Sequence, residues 1–361
     1  MDLESPQKEQ YGKEQYTALE AQRMAQLIAW GPVVFQVSRI MVKWGIFQLL
    51  SDNRDGMTIE EVASNKNISK YAAQVLLESS LTLGSVILRD GKFTVGKIGR
   101  FLMNNPMTKA DMNFVHDVNY LGLFDLETAL KEGKPTGLKV FGTWPTIYEG
   151  LSSLPEQVQK SWFGFDHFYS DNSFEEALEI VFSNNTKTLL DVGGNTGRWA
   201  MKCVEYNKDV NVTIMDLPQQ LDMMRAATKG KDGADRISGH AGNLLDDSTA
   251  FPGSFDAIWM SQFLDCFSEE QVKSILGRAS KSMDSKSRLY IMETLWDRQR
   301  FETASFSLAQ TSVYFTALAN GNSKMFYSKD LFRMVEESGL KIEKIHDNIG
   351  LGHSIVVCQK A

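Results

Sequence analysis

Apolar residues recur on a helical period in the first half of the chain and in alternating strand-like and helix-like runs in the second. From about Leu19 to Leu50, Val33, Val37, Met41 and Trp44 stand three or four residues apart, and Phe47 continues the row. That spacing predicts helix with one apolar stripe. In a peripheral segment such a stripe reads as core or as a face buried against a partner subunit. Residues 1–18 are mostly polar and predict no element. Residues 58–63 predict a short helix opened by a capping box, Thr58 with Glu61. A turn at 65–69 precedes a second helix over 70–83. Then 85–88 and 92–95 flank Arg89-Asp90-Gly91, a hairpin signal. Helix, turn, helix, hairpin is the order of a winged helix. A helix that reads a DNA groove needs several basic or amide side chains. The second helix has one cation, Lys70, offset by Glu78. A structural or dimerisation module is therefore preferred to a nucleic-acid-binding one.

Residues 110–185 read as helical and aromatic, with Phe163, Phe165, His167, Phe168 and Tyr169 clustered. Aromatic clusters are mostly core, but this one stands just ahead of a glycine-rich turn and suits a pocket wall. Beyond it, 187–192, 210–216, 235–239, 255–263, 287–293, 340–347 and 353–359 predict strands with helices between them. That alternation predicts an α/β, doubly wound sheet. The domains expected are 1–110, 111–185 and 186–361. At the centre of the pattern, the strand Leu189-Leu190-Asp191-Val192 runs into Gly193-Gly194-Asn195-Thr196-Gly197, and a helix starts near Arg198. Glycine there permits close backbone approach to a ligand, and a helix N-terminus offers unpaired N–H groups. The next strand ends at Asp216, where an acid can bind the two hydroxyls of a ribose. These features together predict a site for a nucleoside-containing cofactor.

Composition narrows the class. The 361 residues are 43% apolar and 23% charged, enough for a core, and the net charge of −7 argues against a general nucleic-acid binder. Cys203, Cys266 and Cys358 are too few and too scattered for a disulfide framework or a zinc site, so no metal is expected. The first residues lack the basic start and apolar run of a signal peptide. The most apolar early stretch is broken by Pro32, Arg39 and Lys43, so no membrane partner is expected. The expected location is cytoplasmic.

The ordered motifs of the second half resemble those of class I S-adenosylmethionine-dependent small-molecule O-methyltransferases, of the plant caffeic acid and hydroxyindole (acetylserotonin) type with bacterial members. Asp191-Val192-Gly193-Gly194-Asn195-Thr196-Gly197 is similar to the family's glycine motif, and Met215-Asp216-Leu217-Pro218 to its strand-end acid. Gly242-Asn243-Leu244-Leu245 resembles the segment beside the adenine. Runs 255–260 and 288–293 resemble the fourth and fifth strands. The resemblance implies a Rossmann-like seven-stranded methyltransferase sheet with a mostly helical N-terminal winged-helix dimerisation domain. It implies a homodimer, S-adenosyl-L-methionine as cofactor, and a small-molecule acceptor. By resemblance, Asp191, Gly193, Gly194, Asp216, Leu217, Asn243, Leu244, Ser261 and Gln262 bind the cofactor. His167, Tyr169 and Met325 are expected to line the acceptor pocket.

The sequence departs from the family at the catalytic positions. Where the family has a histidine base followed by an acid, this chain has Asp265 and Cys266. The first supporting acid is kept as Glu293, and Met325 stands in place of the second. Three readings follow. Asp265 is the base with Glu293 beside it, two close carboxyls holding a shared proton. Or the acceptor needs little base help and positioning dominates. Or transfer is lost, or the acceptor atom is not oxygen. Asp265 also reads as the N-cap of the following helix or as a surface acid. Among the five histidines, His167 is the leading alternative to Asp265, ahead of His116, His240, His346 and His353. Three further functions stand against methyl transfer, in this order: a cofactor-binding homologue without transfer activity, a ligand-sensing winged-helix regulator, and a nicotinamide oxidoreductase.

Overall fold

The computed structural model describes residues 3–4 and 7–361, which form two compact units, Met1–His116 and Asp117–Ala361. Met1, Asp2, Ser5 and Pro6, within the stretch that predicts no element, lie outside the described residues, and a short helix, Gln7–Tyr11, forms in that stretch.

In the first unit the long predicted helix is three helices. Ala18–Ala29 and Gly31–Lys43 meet at a 73° bend, and Ile46–Asp52 follows Gly45. Pro32 lacks an N–H and clashes with a preceding turn, so it opens the second helix instead of continuing the first. Gly45 turns the chain again with φ of 65°. The apolar stripe divides accordingly: Met41 and Phe47 are fully buried, whereas Val33 and Trp44 are exposed. The helix Ala18–Ala29 buries no residue in the single chain; Leu19 is 79% exposed and Ile28 72%. No single helix among the described residues is long and apolar enough to cross a membrane.

The winged-helix order is present. Thr58 and Glu61 close the capping box of the helix Ile59–Lys66. The helix Lys70–Leu83 follows, and its one cation, Lys70, pairs with Glu60 at 2.6 Å. Strands β1 (Val86–Arg89) and β2 (Lys92–Val95) pair antiparallel across Asp90 and Gly91, both at positive φ as a type I′ turn requires.

The second unit is built on a seven-stranded sheet. Its strands are β3 (Thr188–Val192), β4 (Asn211–Asp216), β5 (Ile237–Ala241), β6 (Ala257–Ser261), β7 (Arg288–Glu293), β8 (Leu340–Ile349) and β9 (His353–Lys360). Their spatial order is β5-β4-β3-β6-β7-β9-β8. The five strands from β5 to β7 are parallel, while β9 runs antiparallel to both β7 and β8. Each strand alternates its apolar side chains between two cores. Leu189, Trp259 and Tyr290 face one core, and Leu190, Ile258 and Leu289 face the other. The chain leaves β3 for β4 on one side and reaches β6 on the other. The C-terminal end of β3 is therefore a topological switch point, where open α/β sheets form their ligand crevice.

Two predicted strands shift. β5 starts at Ile237, two residues later than expected, after a 3₁₀ turn over Ala234–Arg236. There the Arg236 guanidinium donates to the carbonyls of Val204, Asn207 and Val210. β6 stops at Ser261, because Gln262 takes φ of 46° and leaves the ladder.

Candidate active site

Backbone geometry shapes the crevice at the end of β3. Gly193 holds φ of 73° while its N–H donates to the Met215 carbonyl at 2.9 Å. A Cβ there would lie 2.3 Å from the Phe263 ring, and one on Gly194 would lie 2.5 Å from Oδ2 of Asp191. Gly197, at φ of 77°, opens the helix Arg198–Tyr206. Asp216 ends β4 and ties this loop down. Its Oδ2 accepts from the N–H of Asn195 at 2.8 Å, and its Oδ1 from the N–H of Leu217 at 2.7 Å. Burial raises the Asp216 pKa, and these two hydrogen bonds oppose the rise.

Beyond the ends of β3, β4 and β6 lies a cavity of about 510 Å³. Gly193, Gly194, Asp216, Leu217, Asn243, Leu244, Ser261 and Gln262 all line it. Asp191 stands apart from the wall, beneath Gly194. It is 2% exposed, and its Oδ2 is buried without a hydrogen-bond partner. Asn195 Oδ1, Trp199 Nε1 and Gln220 Oε1 are also buried and unpartnered, and all three residues line the cavity. Buried polar atoms are almost always hydrogen-bonded in a finished structure. The three of these atoms that belong to lining residues, beside a glycine loop and a strand-end acid, fit a polar nucleoside ligand.

Burial, followed by the charge of Asp216, pushes the Asp191 pKa up to about 8. An unfolded Asp loses its proton near pH 3.9. Between about pH 4 and 8 the folded chain keeps a proton that the unfolded chain has lost, so stability falls as pH rises through that window. Asp191→Asn is expected to flatten this fall, seen as a smaller drop in Tm between about pH 5 and 8 than in the parent.

Gln262 is locked from behind. His353, on β9, is fully buried; its Nε2 meets Gln262 Oε1 at 3.1 Å, and its Nδ1 meets Ser173 Oγ at 2.8 Å. Burial lowers the His353 pKa to about 4, so the ring is neutral. A carbonyl oxygen only accepts, so Nε2 carries the proton and Ser173 donates to Nδ1. With both nitrogens engaged, His353 positions Gln262 and leaves the set of acid–base alternatives.

The far wall is the helix Glu156–Asp171. Trp162, Asp166, His167, Ser170 and Asp171 line the cavity from one face of it. Trp162 Nε1 donates to the Tyr314 hydroxyl at 2.7 Å. Arg198 pairs with Asp171 and approaches Nδ1 of His167 at 3.5 Å. Burial and then the Arg198 charge lower the His167 pKa, which disfavours the charged imidazolium, with Asp171 opposing. Tyr169 and Met325, expected in the acceptor wall, are not among the lining residues. Tyr169 packs on Phe165 and Phe168, while Met325 is buried, its sulfur accepting from the Thr294 hydroxyl at 3.4 Å. His116, His240 and His346 do not line the cavity either.

Asp265 lies in a 3₁₀ turn over Leu264–Cys266 and is 4% exposed. The reading of Asp265 as a helix cap is corrected: Ser268 caps the helix Glu269–Ser282, in a capping box with Gln271. Its burial also corrects the reading as a surface acid. Glu293, at the end of β7, is 1% exposed. Its Oε1 accepts from the N–H groups of Phe263 and Leu264, and its Oε2 has no partner. Burial raises the pKa of both acids, and the Asp265 charge raises that of Glu293 further. Like charge and burial thus both disfavour ionising the two acids together. Neither lines the cavity; Cys266, whose thiol donates to Asp265 at 3.5 Å, stands at the wall. Asp166 is the acid that sequence reasoning missed. Its only sequence signal was its place inside the aromatic run.

With this geometry in view, the comparison with protein families is decisive, because an O-methyltransferase domain matches residues 125–340, most of the chain. The chain belongs to the O-methyltransferase domain family. A Dimerisation2-like domain matches residues 22–93. Among similar proteins is the L-tyrosine C(3)-methyltransferase of Streptomyces lavendulae, 22% identical over 306 residues, covering 83% of this chain and 81% of that protein. The demethylspheroidene O-methyltransferase of Cereibacter sphaeroides is 25% identical over 281 residues, covering 76% and 71%. Among solved structures, the S-adenosylmethionine-dependent methyltransferase SibL superposes with a TM-score of 0.70 at 22% identity, covering 92% of this chain and 98% of that one. The fold is thus that of S-adenosylmethionine-dependent methyltransferases. S-Adenosylmethionine is the family's cofactor, and the chain is an enzyme of this kind.

Proposed function

We propose that the glycine loop, Asp216 and Asn243 hold S-adenosylmethionine, and that the enzyme methylates an aromatic or conjugated small molecule at a hydroxyl oxygen. The observation that carries this reading is one cavity shared by the two halves of the reaction. The loop and strand-end acid form one wall, and the Trp162–Asp171 face forms the other. Bound there, S-adenosylmethionine supplies a methyl carbon on a positively charged sulfur. The chain's residues then have three tasks. Asp216 and the loop fix the nucleoside. The aromatic wall orients the acceptor and excludes water. A carboxyl of that wall takes up the acceptor's proton.

A second reading, methylation at a ring carbon, is favoured by the burial of Asp265 behind Cys266, which leaves no acid at the family's base position in the wall. A carbon nucleophile makes different use of a base. The relative named as a tyrosine C(3)-methyltransferase supports this reading.

Calorimetric titration with S-adenosylmethionine, S-adenosylhomocysteine and NAD tests the first half of the proposal. Binding of both sulfur nucleosides and not of NAD is expected. Binding of NAD alone would overturn it. A labelled methyl donor with a panel of phenols tests the second half, with NMR of the product separating O–CH₃ from C–CH₃. Cofactor binding without any labelled product would favour the homologue that has lost transfer.

We also infer a homodimer built through the N-terminal unit. The helix Ala18–Ala29 buries nothing in the single chain and presents Leu19, Met24 and Ile28, and the matched dimerisation domain covers most of this helix. Ile28→Glu is expected to shift the mass seen by light scattering from dimer toward monomer. A monomeric parent protein would refute the inference.

A further inference from the structure

We propose that Asp166 is the acid that meets the acceptor, so that the cavity selects acceptors presenting a hydrogen-bond donor at that end and rejects those presenting a carboxylate. The inference rests on the methyltransferase reading and deepens it.

Three observations support it. First, Asp166 lines the cavity, whereas Asp265 and Glu293 do not. It sits one helical turn after Trp162 and one before Ser170, which line the same face. Second, its carboxyl takes part in no hydrogen bond or ion pair among the described residues; the groups that act on it do so through charge alone. The other acids of the wall differ in this: Asp171 is paired with Arg198, and Asp216 accepts two backbone N–H groups. Third, no uncommitted arginine or lysine lines the cavity among the described residues. Arg198 is the one arginine or lysine among the lining residues, and it is committed to Asp171. Asp265, Asp171 and Tyr314 are acids whose charge couples to that of Asp166, and the bases beside it are Arg198 and His167, the latter with its pKa lowered by burial and by Arg198. Burial, then the charges of Asp265 and Asp171, raise the Asp166 pKa to about 7, with Arg198 opposing. Such a carboxylate binds a neutral donor well and is a competent base near neutral pH. Asp265 then acts through Asp166, as a positioning residue that raises its affinity for a proton.

The proton balance closes. The acceptor oxygen forms its bond to the methyl carbon while the carbon–sulfur bond breaks, the electron pair staying on sulfur. The acceptor's proton passes to an Asp166 oxygen and from there to water.

The test uses the full-length protein saturated with S-adenosylhomocysteine and two probes that share a ring, 4-nitrophenol and 4-nitrobenzoate. The parent is expected to bind 4-nitrophenol at least about tenfold more tightly and to hold it as the neutral phenol, seen as loss of phenolate absorbance. Asp166→Asn is expected to reduce the preference by about tenfold and to restore the phenolate absorbance of the bound probe. Asp166→Ser should match it, and a thermal melt of each variant confirms folding. Asp265→Asn should keep the acidic limb of the pH–rate profile and move it to lower pH, because a negative neighbour is lost. Four results would overturn the proposal. One is an unchanged probe preference in both folded Asp166 variants. Another is an equal binding loss for S-adenosylhomocysteine, which would assign Asp166 to the cofactor. A third is loss of the whole acidic limb in Asp265→Asn, which would make Asp265 the base. The fourth is a parent protein that binds neither probe. Failure of the parent to bind S-adenosylhomocysteine would instead remove the methyltransferase reading, and this inference with it.

Discussion

Gly193→Ala is expected to lower affinity for S-adenosylhomocysteine by at least about 100-fold while leaving a folded protein, through two separate costs. The backbone at Gly193 sits at φ of 73°, and a residue with a Cβ pays about 1–2 kcal/mol to stay there. The new Cβ would also lie 2.3 Å from the Phe263 ring. Relief requires that either the ring or the loop move. The ring lines the cavity and packs against the core on one face of the sheet, and it follows Gln262, which His353 holds from behind. The loop is pinned by the N–H of Gly193 on Met215 and the N–H of Asn195 on Asp216. Either movement spoils the surface that meets the cofactor. Calorimetry measures the affinity, and far-UV circular dichroism reports folding. An affinity within about threefold of the parent, with the fold retained, would show that this loop does not hold the cofactor.

Asp216→Ala is expected to have an effect of similar size for a different reason. Each carboxylate oxygen of Asp216 already accepts one backbone N–H, from Asn195 and from Leu217. An ionised carboxylate has about four acceptor positions, so roughly two remain for the ribose hydroxyls. Hydrogen bonds to a charged group contribute about 1.5–3 kcal/mol each. Losing two toward the ligand removes about 3–6 kcal/mol, which predicts a fall of about 10²- to 10⁴-fold in cofactor affinity, and the loop loses both of its backbone ties to Asp216. Asp216→Asn keeps one acceptor oxygen and should lose less. Adenosine carries the ribose without the amino acid, so its affinity should fall in parallel. If adenosine binds Asp216→Ala as well as it binds the parent, the ribose assignment is wrong.

Local signals carried much of the fold. The capping box at Thr58 and Glu61, the Asp90-Gly91 turn and the strand–glycine–helix run at Asp191–Arg198 each depend on residues a few positions apart. Each forms as its residues specify. Eight of the nine expected cofactor residues reach one cavity, because the ends of β3, β4 and β6 converge at the switch point. The misreadings were also local, but there a second signal opposed the first. The helical pattern from Leu19 to Leu50 runs across Gly31-Pro32 and Gly45, where the chain bends, because proline cannot continue a helix from the preceding turn and Gly45 takes a positive φ. Asp265 stands just ahead of Ser268, a better cap, and its own side chain is turned inward.

By itself, then, the sequence determined the α/β class, the winged-helix order, the strands and the glycine loop that lines the cavity. Periodicity and turn chemistry report which face of an element is buried and where it ends. Only the tertiary structure decided what those faces meet. It brought His353 to Gln262 and Ser173 and set Asp166 in the wall in place of Asp265. It also moved Tyr169 and Met325 out of the cavity lining. Those outcomes depend on pairings between residues far apart in the chain. The energy of each carboxyl there depends on burial and on neighbouring charge, which exist only once the sheet has closed over them.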